Sequence, residues 1–207
     1  MGGATPDTDG ADRQKLQRDA ALLRRVADGD RAAQLELVRA LSPRVRRMAH
    51  HMSPYPDEVD DLVQEVLIQI LRAAPRFQAE GCVEAWADVI AVRTILRRLR
   101  GLHRLKRLFV GETPAVEPVT PEPGGDEALI RRRRAQRLTA LLAELPPPQR
   151  MALVLKVVLG HPRAEVAARM GRPEDSVRYL LRKGRERLRT RVEQDPMLAE
   201  LLAGSEV

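Results

Sequence analysis

The segment from Glu165 to Arg191 constrains the fold of this chain most, because it has the pattern of two short helices joined by a tight turn. Ala167 stands where the two helices must approach closely, and Gly171 follows four residues later, where a positive φ favours glycine. The apolar residues expected inside this corner are Val166, Met170, Val177 and Leu180. The pattern is typical of a helix-turn-helix, whose second helix lies in the major groove of DNA.

The second of these predicted helices has an apolar face and a cationic face. A buried face is predicted by four residues at helical spacing, Val177, Leu181, Gly184 and Leu188. Another side carries the cations Arg178, Arg182, Arg185 and Arg189. Arginine can pair with phosphates and make bidentate contacts to guanine. The alternative interpretation is an ordinary solvated helix with a charged surface.

Composition favours an anionic partner for this chain. The 207 residues carry a net charge of +7, and among anionic partners nucleic acid is the commonest. No apolar run approaches about 18 residues, so we expect no membrane insertion. The only cysteine, Cys82, excludes an internal disulfide and is typical of a reducing compartment, so we expect a cytoplasmic protein.

The sequence contains no pattern typical of catalysis or metal binding. The four histidines show no ligand spacing with Cys82. There is no Gly-rich phosphate loop and no nucleophile elbow. We therefore expect a protein that is not an enzyme and needs neither a cofactor nor a metal.

Helical periodicity and the lack of any long strand pattern predict an all-α fold of two small helical domains. The segment from Val110 to Gly125 holds four prolines and no Lys or Arg, which predicts an extended, Pro-rich linker. We expect a disordered N-terminus at 1–12, a helical domain at 13–109, the linker at 110–125, a helix-turn-helix domain at 126–193 and a tail at 194–207.

An acidic cluster stands out in this basic protein, just before and within a predicted helix over 60–74. Its five acids lie within nine residues and are Asp57, Glu58, Asp60, Asp61 and Glu65. One interpretation is local: Asp60 or Asp61 caps the start of the helix. That role explains only part of the cluster. The excess favours an acidic patch for a basic partner protein, since DNA would be repelled by it.

A basic cluster lies between Arg93 and Arg107, where seven cations occur without an acid. Four of them share one face of a predicted helix, Arg93, Arg97, Arg100 and Arg104. A solvated face is the ordinary interpretation of such a run. Contact with phosphates is favoured here, because a face of like charges costs stability unless a partner neutralises it.

These motifs, in this order, resemble the extracytoplasmic-function sigma factors of bacterial RNA polymerase, within the sigma-70 family. The resemblance covers residues 28–109 and 135–191. In the first domain it is carried by Gly29-Asp30, DDLVQEV at 60–66, Phe77 and Trp86. In the second it is carried by LPPPQR at 145–150, Glu165-Val166-Ala167, Gly171 and Ser176-Val177-Arg178.

The resemblance implies a region 2-like first domain and a region 4-like second domain, without catalysis. The first domain is then expected to dock on the clamp helices of the polymerase β′ subunit through Asp60, Asp61, Gln64 and Glu65. It is expected to contact the minus-10 element of promoter DNA through Phe77, Trp86, Arg93, Arg97 and Arg100. The second domain is expected to contact the minus-35 element through Ser176, Arg178, Tyr179, Arg182, Lys183 and Arg185. An anti-sigma factor is a further expected partner.

Two departures from the family pattern leave other functions open. The family usually has an asparagine and then an aspartate where Arg93 and Arg97 stand, and an arginine where Leu180 stands. A sigma-like regulatory protein that does not initiate transcription is therefore one alternative. An ordinary helix-turn-helix repressor or activator is another, although it leaves the acidic motif and the linker unexplained.

Overall fold

The computed structural model describes residues 6–53, 57–77, 82–108 and 126–199, and within these ranges it contains helices and no strand. The all-α prediction is confirmed. The helices are α1 Pro6–Ala27, α2 Arg31–Met52, α3 Glu58–Ala73, α4 Val83–Leu108, α5 Asp126–Ala143, α6 Pro147–Leu153, α7 Arg163–Met170 and α8 Glu174–Glu193. A short 3-10 turn follows α3 at Ala74–Arg76, and a π-helical turn follows α6 at Val154–Val158. The predicted linker at 110–125 lies outside the described residues.

Helices α1 to α4 form the first domain, with α3 packed against both α2 and α4. Gly29 adopts a positive φ of 85° between α1 and α2, and Asp30 then caps α2 by accepting hydrogen bonds from the backbone amides of Ala32 and Ala33. The apolar side of α3 is buried, including Val66 and Ile70. Its other side, which carries most of the acidic cluster, is therefore left at the surface.

The second domain contains the expected helical corner. Gly171 ends α7 in the left-handed conformation, with a φ of 60°, and the amide of Arg172 then donates to the carbonyl of Ala167. Val166, Ala167, Met170 and Val177 are buried inside the corner, and Leu180 is half-buried. A Cβ on Gly184 would lie 3.0 Å from the Leu153 side chain, so α8 packs closely on α6 at this point.

The structure corrects two expectations about helix starts. Residues 6–12, expected to be disordered, belong to α1. Pro6 suits the first helical position because the N–H that proline lacks has no partner there, and extending a helix costs less than nucleating one. In addition, α3 begins at Glu58, so neither Asp60 nor Asp61 caps it. Both carboxylates lie instead in its first turn, where the helix dipole favours negative charge.

The beginning of the predicted tail packs on the second domain. Asp195 is buried and accepts a hydrogen bond from Arg137 Nε of α5. Leu198 is buried against Leu141 of α5 and Val192 of α8. Residues 195–199 therefore close one side of the helix-turn-helix domain.

The two domains share a continuous hydrophobic core, in which α4 of the first domain contacts α6 and α7 of the second. Arg150 of α6 is 2% exposed and lies at this junction. Its guanidinium donates to the carbonyls of Ala143 and Leu145 in its own domain and to the carbonyl of Met52 at the end of α2. Burial lowers the pKa of Arg150 to about 10, which leaves the side chain charged at neutral pH.

We expect Arg150→Met to lower the free energy of unfolding by about 3 kcal/mol, because buried carbonyls lose a charged donor while the apolar volume is largely kept. Arg187→Met is the matched control, since Arg187 is exposed and donates only to Gln149 among the described residues. Its cost should stay within about 0.5 kcal/mol. Urea unfolding followed by far-UV circular dichroism measures both, and equal costs would contradict this role for Arg150.

Candidate nucleic-acid and protein interfaces

The cationic side of α8 faces an open cleft of about 600 Å³. The cleft lies between α8 and the segment that joins α6 to α7. Its cationic lining consists of Lys156, Arg163, Arg178, Arg182, Arg185 and Arg189. All six side chains are positively charged and are exposed or half-buried. This surface therefore attracts polyanions.

Two cations of this cleft are not among the residues that the sequence pattern predicts. Lys156 belongs to the π-helical turn and Arg163 begins α7, so neither shares a helix with the α8 arginines. The fold brings them together because α7 and α8 turn sharply at Gly171. Both cations precede the helix-turn-helix motif in the sequence, and their spacing from the α8 arginines matches no helical repeat that could have pointed to them.

The α8 cations are held by acids on the same helix. Arg178 lies 2.6 Å from Asp175, and both Arg182 and Lys183 lie 2.9 Å from Glu186. These two cations lower the pKa of Glu186, with the hydrogen bond from Lys183 as the largest cause. Such exposed pairs add little to stability, so the cations can exchange these acids for phosphates at low cost.

The six candidate minus-35 residues lie on α8, five of them in its N-terminal half and Arg185 just beyond it. Arg178, Tyr179, Arg182 and Arg185 are exposed, whereas Ser176 and Lys183 are half-buried. The guanidinium of Arg182 sits 5.6 Å from the centroid of the Tyr179 ring, a cation–π contact. Four of the six candidates are therefore open to solvent on the second helix of the helix-turn-helix.

The acidic patch lies on the outer side of α3. Asp60, Asp61 and Gln64 are exposed and Glu65 is half-buried. Asp60 pairs with Arg46 of α2 at 2.5 Å. Asp61 and Gln64 have no side-chain partner among the described residues. Ile68, one turn further along α3, is 47% exposed and adds an apolar element to the patch.

The basic face of α4 adjoins the acidic patch. Arg93, Arg97 and Arg100 are all exposed. Glu65 lies 3.4 Å from Arg98 and 3.8 Å from Arg97. The two surfaces of opposite charge therefore meet at Glu65, and a partner that binds one of them also changes the field at the other.

Phe77 and Trp86 flank the segment 78–81, which lies outside the described residues. Their rings pack edge to face, with centroids 5.3 Å apart, and both side chains are half-buried against the core of the first domain. The structure thus brings these two candidates together. Arg100 donates to the carbonyl of Leu96 in its own helix, which directs its side chain along α4.

Two families match the chain in succession: Sigma-70 region 2 over residues 37–105 and Sigma-70 region 4 over residues 135–188. The ECF RNA polymerase sigma factor SigM of Mycobacterium tuberculosis is 31% identical over 170 residues, which are 82% of this chain and 82% of that protein. The chain belongs to the extracytoplasmic-function sigma factor family.

Other relatives of the family show the same similarity. The ECF sigma factor SigE of Mycolicibacterium smegmatis is 31% identical over 166 residues, and the match covers 79% of this chain but only 64% of that protein. ShbA of Streptomyces griseus, also an ECF sigma factor, is 30% identical over 185 residues, covering 84% of this chain and 95% of that one.

Solved sigma factor structures share the fold. CnrH, solved in complex with the cytosolic domain of CnrY, has a TM-score of 0.59 and 21% identity, over 86% of this chain and 98% of that chain. RpoE of Bartonella quintana, solved with the anti-sigma factor NepR, has a TM-score of 0.60 and 22% identity, over 77% of this chain and 96% of that chain. In the described part of this family member, no helix is long and apolar enough to span a bilayer.

Proposed function

We propose that this chain binds core RNA polymerase in the cytoplasm and directs it to promoters, without catalysing a reaction itself. The observation that carries the proposal is the pairing of an acidic α3 in the region 2 match with a cationic α8 cleft in the region 4 match. Sigma factors are transcription initiation factors rather than enzymes. Run-off transcription with purified core polymerase and a promoter library tests the proposal, and a chain that never stimulates initiation would refute it.

The polymerase contact is assigned to α3. Asp61 and Gln64 are exposed and unpartnered among the described residues, so they can meet a basic protein surface without losing an internal contact. Asp60 and Glu65 pair with arginines of α2 and α4, and they must exchange those arginines for cations of the partner. Exposed Ile68 supplies the apolar contact that a charged patch alone lacks. The proposed partner surface is the clamp helices of the β′ subunit.

The minus-35 contact is assigned to the α8 cleft. Arg178, Tyr179 and Arg182 lie near the start of the recognition helix, where side chains reach base edges. Lys156 and Arg163 border the same cleft from outside α8. Their position supports contacts to the phosphate backbone, which fix the orientation of the helix but read no sequence.

The minus-10 contact is assigned to the first domain. Phe77 and Trp86 form an aromatic pair beside the segment 78–81, and an unstacked base can be held by such rings. Arg93, Arg97 and Arg100 supply exposed positive charge along α4 for the phosphates of the same strand. Arg97 also lies near Glu65, so polymerase docking and DNA binding act on neighbouring charges.

An anti-sigma factor is a further proposed partner. CnrH was solved with the cytosolic domain of CnrY, and RpoE with the anti-sigma factor NepR, and both share this fold. A helix-turn-helix repressor is disfavoured, because both sigma regions match and the acidic surface of α3 would have no role. The match to both regions likewise disfavours a regulator that never initiates transcription.

We expect Asp61→Lys to weaken binding to core polymerase by at least about tenfold, because it places a cation against a basic surface. Glu36→Lys on α2 is the matched control, with the same change of charge at another exposed acid of the first domain. Fluorescence anisotropy with labelled chain and titrated core polymerase measures both affinities. If both variants bind equally well, α3 is not the docking surface.

We expect Arg182→Ala in the polymerase holoenzyme to cost about 1–3 kcal/mol on the preferred minus-35 sequence and less on others, because a base contact is lost. Lys156→Ala should weaken binding to all sequences alike and reduce the slope of log affinity against log salt by about 1. Arg191→Ala is the control, since Arg191 pairs with Glu144 at 2.9 Å and is not part of the cleft lining. Equal losses across sequences for Arg182→Ala would contradict base reading.

A further inference from the structure

A buried polar cluster joins the two domains. Asp88 of α4 is 2% exposed and lies at the centre. From the first domain, Arg44 of α2 donates to its carboxylate through Nε at 2.5 Å and Nη2 at 2.6 Å. From the second domain, Arg169 of α7 donates to the same carboxylate through Nε at 2.8 Å. Asp88 is thus shared by two guanidiniums that belong to different domains.

His161, just before α7, completes the cluster in its neutral form. Its Nε2 lies 3.1 Å from Arg44 Nη2, and because a guanidinium only donates, Nε2 must accept. The ring proton then sits on Nδ1, which faces Glu165 at 3.2 Å. Arg169 also contacts Glu165, at 2.8 Å. Two arginines and two carboxylates therefore balance while His161 is uncharged, and a proton on His161 adds an unmatched charge.

Nothing in the proposed contacts with polymerase or DNA uses these residues. Arg169 is 8% exposed and Asp88 is 2% exposed, so neither can reach a partner while the domains are packed. Removing one cationic partner of a buried carboxylate strongly destabilises the packed structure, because the remaining charge is left uncompensated. The cluster therefore gives the packed arrangement an electrostatic component that can be removed by changing one charge.

We propose that Asp88, Arg44, Arg169 and His161 form an interdomain latch, which holds the helix-turn-helix domain on the first domain while His161 is neutral and releases it when His161 gains a proton. Release frees the two DNA-contacting domains to move apart. The latch is a property of the chain by itself, so it stands or falls independently of polymerase binding.

The direction of the pH effect follows from the groups that face His161. Burial lowers the pKa of His161 most, and Arg169 is the next largest cause in the same direction. Asp88 raises the pKa, Arg44 lowers it, and Glu165 raises it least, so that the net direction is downward. The packed form therefore binds the proton less readily than the open form. The contribution of His161 to packing is complete above the ordinary histidine pKa of about 6.5 and declines as the pH falls below it.

Small-angle X-ray scattering of the full chain tests the latch. We expect the radius of gyration to rise between about pH 8 and about pH 5.5, with the ratio of open to packed molecules changing by up to about tenfold per pH unit for one proton. His161→Gln keeps an acceptor for Arg44 but cannot gain a proton, so it should stay compact at both pH values. An unchanged wild-type radius, or a His161→Gln variant that expands like the wild type, would overturn the proposal.

Removing the charge at the centre of the cluster gives a second test, at a pH where His161 of the wild type is neutral. Asp88→Asn should expand the chain at about pH 8, whereas Glu144→Gln, which weakens an exposed ion pair with Arg191 inside the second domain, should not. If Asp88→Asn loses helical content, Arg169→Gln takes its place, with the same expansion expected. A folded variant of either kind that stays as compact as the wild type would refute the latch.

Discussion

The arrangement of this molecule depends on a carboxylate buried between two guanidiniums. Asp88 is almost completely buried, and its charge is tolerated because Arg44 from the first domain and Arg169 from the second both pair with it. Arg150 adds a second polar link through the carbonyl of Met52. The shared apolar core brings the domains together, and these directional contacts define how they are oriented.

The surfaces left outside this junction divide by charge. The acidic side of α3 suits a basic protein, and the α8 cleft suits a polyanion. Because Glu65 pairs with Arg97 and Arg98, the acidic patch of α3 and the basic face of α4 are electrostatically coupled within the first domain. A single small chain can therefore carry an enzyme to DNA while the recognition helix, held by the corner at Gly171, keeps its cations exposed.

Local features could be predicted from sequence, and long-range ones could not. The helix-turn-helix corner was predictable because the left-handed Gly171 and the apolar spacing around it act within a few residues. The acidic helix was also predictable, because its apolar spacing is local, although its start at Glu58 was not. The contact between Asp88 and Arg169 spans 81 residues, and no periodicity reports it. Lys156 and Arg163 likewise meet the cations of α8 only in the folded chain.

The central claim is that both domains form one cooperative body in the free chain at neutral pH. Differential scanning calorimetry of the full chain measures this most directly. The account predicts a single unfolding transition whose calorimetric enthalpy equals its van't Hoff enthalpy. Two separate transitions, with the helix-turn-helix domain unfolding independently of the first domain, would contradict it.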